Sequence, residues 1–211
     1  MWVSYQYMWS SSKTRTRKHE PETTHLWGGA LCLDFANSVD WTSGDEPLTP
    51  ESDVLRDEDD VRRWGRRLGL FGVRAPTIDA TELAAIHALR VAVHRSFAAV
   101  TRNLKPAAAD LDRVRGDFAE AVAAGRLAAH DGTWQFSWPA GEPRRLRFAV
   151  AADAVGLLGS AERVGRVKRC PGRGCGWLFL DHSGRRRWCS MQTCGSRAKM
   201  RRLYARRRGG R

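Results

Sequence analysis

The sequence predicts an α+β fold: a mainly helical N-terminal domain with a small β-hairpin, followed by a small C-terminal region organised by cysteines. Apolar residues recur at helical spacing through residues 77–101 and again through residues 106–125. Two stretches, 132–138 and 146–150, alternate in polarity and flank a turn that contains proline and glycine, which indicates a hairpin. Four of the five cysteines lie between residues 170 and 194, so the second part of the chain has its own organising element.

The helices are predicted from apolar spacing and from residues that favour helix ends. The acidic run at 57–60 precedes an apolar stripe, and carboxylates are stabilised at the positive N-terminal end of a helix. We therefore expect this run to cap a helix rather than to bind a metal ion. The expected helices are one over the stripe Val61–Phe71, one from Thr77 or Asp79 to about Thr101, one from Pro106 to near Gly125, and one from Ala151 to about Val164.

The run from Leu31 to Asn37 is a candidate functional stretch in the N-terminal domain. Leu31, Leu33 and Phe35 alternate along the chain, which favours a strand opening into a turn, with a short helix as the alternative. Asp34 and Asn37 are the polar residues of this run, and they are candidates for contact with a small ligand. The alternative is that they cap a helix or close a turn.

The four clustered cysteines form two pairs with the same internal spacing, Cys170-x4-Cys175 and Cys189-x4-Cys194, and thirteen residues separate the pairs. Two such pairs can hold one metal ion from two sides. Zn²⁺ accepts four thiolates in a tetrahedron, and four protein ligands leave no open position for water or substrate. The spacing therefore predicts a structural zinc site rather than a catalytic one.

Three other uses of these cysteines are alternatives. Two disulfides need an oxidising compartment, and residues 1–20 lack the continuous apolar segment of a secretion signal. An iron–sulfur cluster also takes four cysteines, but the paired spacing is more typical of zinc than of either ferredoxin pattern. Four unconnected thiols are the third alternative. Residues 1–20 are aromatic and serine-rich and then basic, and we expect them to form a disordered arm.

Charge is distributed unevenly along the chain, whose formal net charge is +13. Residues 160–211 hold sixteen Lys or Arg against two acids, a net charge of +14, so the rest of the chain carries −1. A dense basic patch is the electrostatic signature of a polyanion partner. The sequence therefore predicts that the C-terminal region, and not the N-terminal domain, binds nucleic acid.

A basic helix is expected after the last cysteine, and a solvated basic tail is the alternative. Ser196 is a suitable N-cap and Gly209 a suitable stop. Met200, Leu203 and Tyr204 fall at positions i, i+3 and i+4 and are expected to pack on the zinc core. The candidate nucleic-acid contacts are the basic side chains of this helix and of the turn before the third cysteine: Arg185, Arg186, Arg187, Arg197, Lys199, Arg201, Arg202 and Arg206.

The residues around the cysteines also carry a family resemblance. The stretches 169–171, 175–181, 187–191 and 194–199 resemble the CGNR zinc-finger family in spacing and in intervening residues. The tetrad that names the family is Cys-Gly-Asn-Arg, whereas this chain reads Cys-Gly-Ser-Arg at 194–197. Serine can replace asparagine as a helix N-cap, whereas a nucleic-acid contact through the asparagine would be lost. The resemblance implies a bacterial DNA-binding regulator.

A second resemblance concerns the N-terminal domain. Residues 31–37, Leu-Cys-Leu-Asp-Phe-Ala-Asn, resemble the start of the ABATE domain, the usual N-terminal partner of CGNR fingers. The resemblance implies a domain that senses a small molecule or a partner. The expected organisation is a disordered basic arm over 1–20, an ABATE-like α+β domain over 21–164, and a four-cysteine zinc finger with a hairpin and a basic C-terminal helix over 165–211, called the finger below.

The sequence carries none of the short motifs that mark several enzyme classes: a G-x-S-x-G elbow, a P-loop, a dinucleotide fingerprint or an H-E-x-x-H pair. We therefore expect a protein that is not an enzyme. The leading hypothesis is a zinc-stabilised DNA-binding transcription regulator. The alternatives are an RNA- or ribosome-associated adaptor that binds polyanions without reading sequence, and a protein–protein interaction module. We find no apolar run long enough to span a membrane, and we expect a cytoplasmic location.

Overall fold

Helices account for about half of the structure, a computed structural model that describes residues 20–42, 44–48 and 50–209. The predicted disordered arm lies, apart from Glu20, outside the described residues. The α-helices are α1 (Leu31–Ala36), α2 (Glu58–Arg67), α3 (Ala80–Val100), α4 (Ala108–Ala124), α5 (Arg145–Leu158), α6 (Ala161–Val164) and α7 (Ser196–Gly209), with a 3-10 turn at Pro50–Ser52 and a π-helical turn at Met191–Gly195.

The strands form two small antiparallel hairpins. They are β1 (Arg126–His130) with β2 (Thr133–Ser137), and β3 (Val167–Arg169) with β4 (Leu178–Leu180). The first hairpin lies between α4 and α5, and the second belongs to the finger. The predicted fold class, α+β and mainly helical with a C-terminal finger, is confirmed.

The helix starts follow the capping residues that the sequence predicts. The Asp57 carboxylate accepts a hydrogen bond of 2.8 Å from the backbone N–H of Asp60 at the start of α2. The Asp79 carboxylate accepts one of 2.7 Å from the N–H of Glu82 at the start of α3. Each bond satisfies a donor that the first turn of a helix leaves without an internal partner. Asp57 therefore caps α2, and the other acids of the run, Glu58, Asp59 and Asp60, lie in its first turn.

One apolar core fills the space between α1, α3, α4 and α5. Its buried members include Phe35 of α1, Phe97 of α3, Val114 of α4 and Phe148 of α5. Complete burial of an apolar side chain stabilises a fold by about 1.5–3 kcal/mol. The four helices therefore hold one another in place and present a fixed surface to the finger.

Three predicted elements differ from the observed ones. The run 31–36 is helix α1 and not a strand. All six of its residues are buried, so the alternation of apolar and polar residues does not separate a buried face from an exposed one. The stretch 146–150 is likewise wholly buried and lies inside α5. The hairpin instead joins β1 to β2, with Leu127 opposite Phe136. The last predicted helix, Ala151–Val164, begins earlier and is divided at Gly159 into α5 and α6.

A buried ionic network joins α3, α4 and α5 around Arg147. The Nε of its guanidinium donates to Glu82 Oε1 at 2.9 Å, and its Nη1 donates to Asp117. All three side chains are buried. Burial raises the pKa of the Glu82 carboxyl above its ordinary value. A cleft of about 530 Å³ opens beside this network.

Helix α3 is long and apolar enough to cross a membrane by length and composition, which corrects the expectation that no such run exists. Half of that segment is buried inside the protein. Two of its buried charged residues have internal partners: Glu82 pairs with Arg147, and Arg90 pairs with Asp53. The central helix of a protein core passes the same length and composition test, and α3 occupies that position here.

Candidate metal centre and nucleic-acid interface

The first two cysteines lie in the connection between β3 and β4. The backbone N–H of Cys170 donates to the Trp177 carbonyl at 2.9 Å, and that of Cys175 donates to the Gly172 carbonyl at 2.9 Å. A Cβ at position 172 would lie 2.9 Å from Cys194 Sγ. Glycine at this position therefore lets the loop approach the other cysteine pair.

The second cysteine pair flanks the π-helical turn before α7. Ser190 caps this turn, because its hydroxyl accepts a hydrogen bond from a backbone N–H two residues ahead. Ser196, the predicted N-cap, already has helical backbone angles, and its hydroxyl donates to the Met191 carbonyl at 3.0 Å. The helical segment thus begins six residues earlier than predicted, with Ser190 in place of Ser196 as its N-cap, and Cys194 lies within its first turns.

The four sulfur atoms of Cys170, Cys175, Cys189 and Cys194 all lie within 4.8 Å of one another. All five cysteines of the chain are free thiols, so the disulfide alternative is not observed. The Sγ atoms of Cys175 and Cys189 are 3.8 Å apart. Four sulfurs at about 2.3 Å from a tetrahedral zinc ion are separated by about 3.8 Å. The donor set therefore fits a structural zinc ion.

The thiols of the cluster also change one another's pKa values. Hydrogen bonds from Cys175 and Cys189 lower the pKa of the Cys170 thiol to about 2. The hydrogen bond with Cys170 raises the pKa of Cys175 to about 12. Hydrogen bonds with Cys170 and Cys175 raise the pKa of Cys189. The cluster thus stabilises one thiolate, and its neighbours retain protons that a metal ion would displace.

The cysteine cluster shares its hydrophobic core with the N-terminal domain. Val39 and Trp41, which follow α1, are 1% and 2% exposed and pack with the cysteines. The finger contributes Trp177 and Phe179 to the same core. An aromatic side chain buries about 150–250 Å², so these rings account for much of the apolar contact between the two parts of the chain.

Asp34 and Asn37, the candidate ligand contacts, are used internally. The side-chain amide of Asn37 donates to the Leu178 carbonyl at 2.8 Å and accepts from the Leu178 N–H at 2.9 Å. The Asp34 carboxylate accepts from the Gly28 N–H at 2.7 Å, and the Gly28 carbonyl accepts from the Leu180 N–H at 2.7 Å. Both side chains therefore fix the edge of β4 against the N-terminal domain, and a ligand contact by either stays a prediction.

Helix α3 contacts the loop that holds the first cysteine pair. The His94 Nε2 donates to the Gly176 carbonyl at 3.0 Å, and the His94 ring stacks on Trp41 with ring centroids 3.7 Å apart. A Cβ at position 176 would lie only 2.5 Å from the Cβ of Trp41. Burial lowers the pKa of His94 to about 4, so the imidazole is neutral at pH 7.

Comparison with known families agrees with this arrangement. A family model named ABATE, with the description "Putative stress-induced transcription regulator", matches residues 29–161, more than half of the chain. The chain belongs to the ABATE family. A second model, the CGNR zinc finger, matches residues 166–207, so the ABATE domain precedes a CGNR finger, in the order that both resemblances implied. A search of curated proteins finds no match. The two matches together indicate a zinc-binding regulator.

The helix that follows the last cysteine of the CGNR finger is exposed along nearly its whole length. Ala198 is buried, and the other residues of α7 as far as Arg208 are exposed. Met200, Leu203 and Tyr204 are 45%, 40% and 58% exposed, which corrects the prediction that they pack on the zinc core. The helix therefore contacts the finger only at its beginning.

Arg186 is the candidate nucleic-acid contact whose donors are mostly used inside the protein. Its guanidinium donates to the carbonyls of Trp27 and Trp188 at 2.7 and 3.1 Å and also to that of Cys189. It lies over the Phe179 ring at 4.5 Å, and burial lowers its pKa. We therefore assign Arg186 to the support of the metal site and remove it from the set of free contacts.

The remaining candidate contacts are solvent-exposed cations. None forms an ion pair with a residue in the ranges that the structure describes. Arg187 makes one further contact, because its guanidinium lies 5.6 Å from the centre of the Trp188 ring. These side chains keep their N–H donors available to a partner: Arg185, Arg187, Arg197, Lys199, Arg201, Arg202 and Arg206.

Proposed function

We propose that this protein is a zinc-stabilised DNA-binding transcription regulator whose finger contacts DNA and whose ABATE domain senses a ligand or a partner. The single observation that carries the proposal is α7. This exposed helix has seven Lys or Arg among its fourteen residues and no acid. It is anchored at its N-terminal end by the four-cysteine cluster, in which Cys170, Cys175, Cys189 and Cys194 hold the zinc ion.

The shape and charge of α7 suit a nucleic-acid duplex. An α-helix fits the major groove of B-DNA, where side chains can reach the base edges. Phosphate contacts by arginine and lysine fix the position of a protein on the duplex. The cations of α7 occur in every turn, so the helix can contact phosphates on both sides of a groove while Met200, Leu203 and Tyr204 offer apolar surface to bases or sugars.

The anchoring of α7 supports a specific orientation on DNA. The segment that precedes α7 carries Cys194, and the cysteine cluster packs against Trp41 of the ABATE domain. A helix fixed at one end loses less conformational freedom on binding than a free tail. This arrangement favours sequence-reading DNA binding over the RNA-adaptor alternative, which requires only charge.

The sensing role is supported by the cleft between α3, α4 and α5. Its lining contains Glu82, Asp117 and Arg147, which form the buried ionic network, and also the bases Arg113 and Arg144 and the acids Asp79, Asp112 and Glu120. A cavity of about 530 Å³ lies in the size range of small-molecule sites, about 300–1,000 Å³. A charged metabolite is therefore the kind of effector that the ABATE domain would accommodate.

The proposal is tested by selection of bound sequences from a random duplex DNA pool at about 0.15 M salt with zinc present. A structured RNA serves as competitor. A recurring duplex motif supports the proposal, because phosphate contacts alone carry no sequence information. Binding without a motif and with equal affinity for the RNA would contradict it and favour the adaptor.

A further inference from the structure

A basic cleft lies where the finger meets the C-terminal end of α3. It has a volume of about 390 Å³. Thr101, at the end of α3, contributes to its wall, so the cleft is formed by the ABATE domain and the finger together. Its lining contains no acid and five bases: Lys168, Arg169, Arg185, Arg186 and Arg187.

Two of these cations are held in place by carboxylates that lie outside the lining. Lys168 Nζ donates to Asp181 Oδ2 at 2.5 Å. Arg169 pairs with Asp45, which also pairs with Arg102 at 2.7 Å. Each carboxylate engages only part of the donor set of its partner, because an ammonium has three N–H groups and a guanidinium five. Arg169 Nη2 also donates to the Thr42 carbonyl at 3.4 Å. The donors that remain on the two side chains are positioned in advance for an anion.

The other cations of the cleft play two different roles. Arg186 is fixed below by the Phe179 ring and by three backbone carbonyls. Arg185 and Arg187 are exposed and form no ion pair with any described residue. The cleft thus combines fixed cations at its base with two free arginines that can close over a bound group.

The positive charge here exceeds what the neighbouring acids and the metal site neutralise. Asp45 and Asp181 contribute −2, and four thiolates around one Zn²⁺ contribute about −2 more. The five bases of the cleft together with Arg102 contribute +6. The local surplus is positive even after this compensation, so a role limited to balancing the tetrathiolate does not account for all of these cations.

We propose that the basic cleft binds a phosphate group of the DNA backbone and so holds the duplex at the junction of the ABATE domain and the finger. This inference rests on the proposed function and adds to it a phosphate contact separate from α7. The non-bridging oxygens of a phosphodiester accept the remaining N–H groups of Lys168 and Arg169 and those of Arg185 and Arg187. Arginine suits this role because its planar fork binds two oxygens at once.

The test removes the two free arginines and compares two variants of equal charge. The test variant is Arg185→Ala with Arg187→Ala. The control is Arg115→Ala with Arg126→Ala, which removes two exposed arginines of the ABATE domain. Duplex affinity is measured between 0.05 and 0.3 M salt, and zinc content confirms that each variant is folded.

The cleft variant is expected to lower the slope of log affinity against log salt by about 0.9, the value of one phosphate contact, and to weaken binding about fivefold at 0.15 M salt. The control is expected to match the wild type. An unchanged slope in the cleft variant would overturn this inference. In that case the proposed function would stand if a second variant, Arg201→Ala with Arg202→Ala in α7, lost affinity for the duplex. A wild type that binds no duplex would overturn both.

Titration with inorganic pyrophosphate, followed by NMR, distinguishes DNA from a free phosphate compound as the source of the phosphate. Pyrophosphate should compete with the duplex for the wild type and lose this effect in the Arg185→Ala, Arg187→Ala variant. Pyrophosphate binding that depends on these arginines, together with unchanged duplex affinity, would assign the cleft to a free phosphate compound and overturn the DNA contact.

Discussion

The side-chain amide of Asn37 makes both hydrogen bonds that a neighbouring strand would make to Leu178. It donates to the Leu178 carbonyl and accepts from the Leu178 N–H, at 2.8 and 2.9 Å. Leu178 lies in β4, whose other edge pairs with β3. One side chain from the end of α1 therefore completes the sheet of the finger, and it links the metal site to the ABATE domain through the backbone.

We predict that Asn37→Ala destabilises the whole protein, because it leaves two buried backbone groups of Leu178 without partners. Each such group costs about 1–3 kcal/mol, so the free energy of unfolding should fall by about 2–6 kcal/mol. Urea unfolding at saturating zinc measures the change. Gln192→Ala removes an exposed amide from the finger and should change stability by less than about 0.5 kcal/mol. Equal stability of the two variants would contradict the linking role.

We predict that Cys189→Ser abolishes zinc binding, since the binding free energy of a structural zinc ion is folding free energy for its site. Metal analysis of the purified protein should fall from about one zinc per chain to near zero. Cys32→Ala is the matched control, because Cys32 is buried but lies outside the cluster. This control should keep its zinc. An unchanged zinc content in Cys189→Ser would refute the four-cysteine site.

We predict that Arg201→Ala combined with Arg202→Ala weakens duplex binding and leaves zinc content and thermal stability unchanged, because both side chains are exposed. Loss of two phosphate contacts should lower the salt slope by about 1.8. Fluorescence anisotropy with a labelled duplex measures the slope. The Arg115→Ala, Arg126→Ala variant controls for net charge. If affinity does not change, α7 is not the contact surface.

We predict that stability falls as the pH decreases from 6.5 towards 4. Burial lowers the pKa of His94 from 6.5 in an unfolded chain to about 4 in the folded protein. A hydrogen bond to Gly176 and the negative charge of Asp45 act in the opposite direction but are weaker than the effect of burial. The unfolded state therefore binds more protons in this window, and the stability lost approaches about 3 kcal/mol.

His94→Phe tests the pH effect. Phenylalanine can keep the stack on Trp41 and cannot titrate, so the variant should be less sensitive to pH between 4 and 6.5 when unfolding is measured at constant zinc. Protonation of the cysteines affects both proteins alike, so the difference between the two curves isolates His94. Parallel curves for the variant and the wild type would show that His94 does not control this dependence.

Much of the fold could be predicted from the sequence where a pattern was local. Helical spacing and the cap Asp79 gave α3 nearly to the residue, and α4 ends before Gly125 as expected. Helix α2 was also predicted, but it lies at Glu58–Arg67, three to four residues before the predicted stripe Val61–Phe71. The cysteine spacing predicted a cluster that the structure confirms. These signals lie within a few residues of the feature that they predict, and reading them needs no knowledge of contacts with distant parts of the chain.

The prediction was wrong where tertiary contacts decide. Burial on all sides removed the polarity pattern of α1 and of the first turn of α5. The packing of Met200, Leu203 and Tyr204 was inferred from spacing alone, but only the first turn of α7 is packed against the finger. The roles of Asn37 and Arg186 depend on contacts across more than 140 residues. The only sequence signal for the internal role of Asn37 was the presence of a polar residue in an apolar run.

Val39 and Trp41 lie well over 100 residues before the cysteines they cover, and this separation limits how the protein can be divided. A peptide containing only the finger would lack these side chains and the Asn37 amide, so its metal affinity would differ from that of the whole chain. An ABATE domain produced alone would expose the same aromatic surface and tend to aggregate. If a CGNR finger from another protein replaced this one, it would pack correctly only if its surface fitted the residues that follow α1, Val39 and Trp41. The two parts are therefore expected to be inherited together.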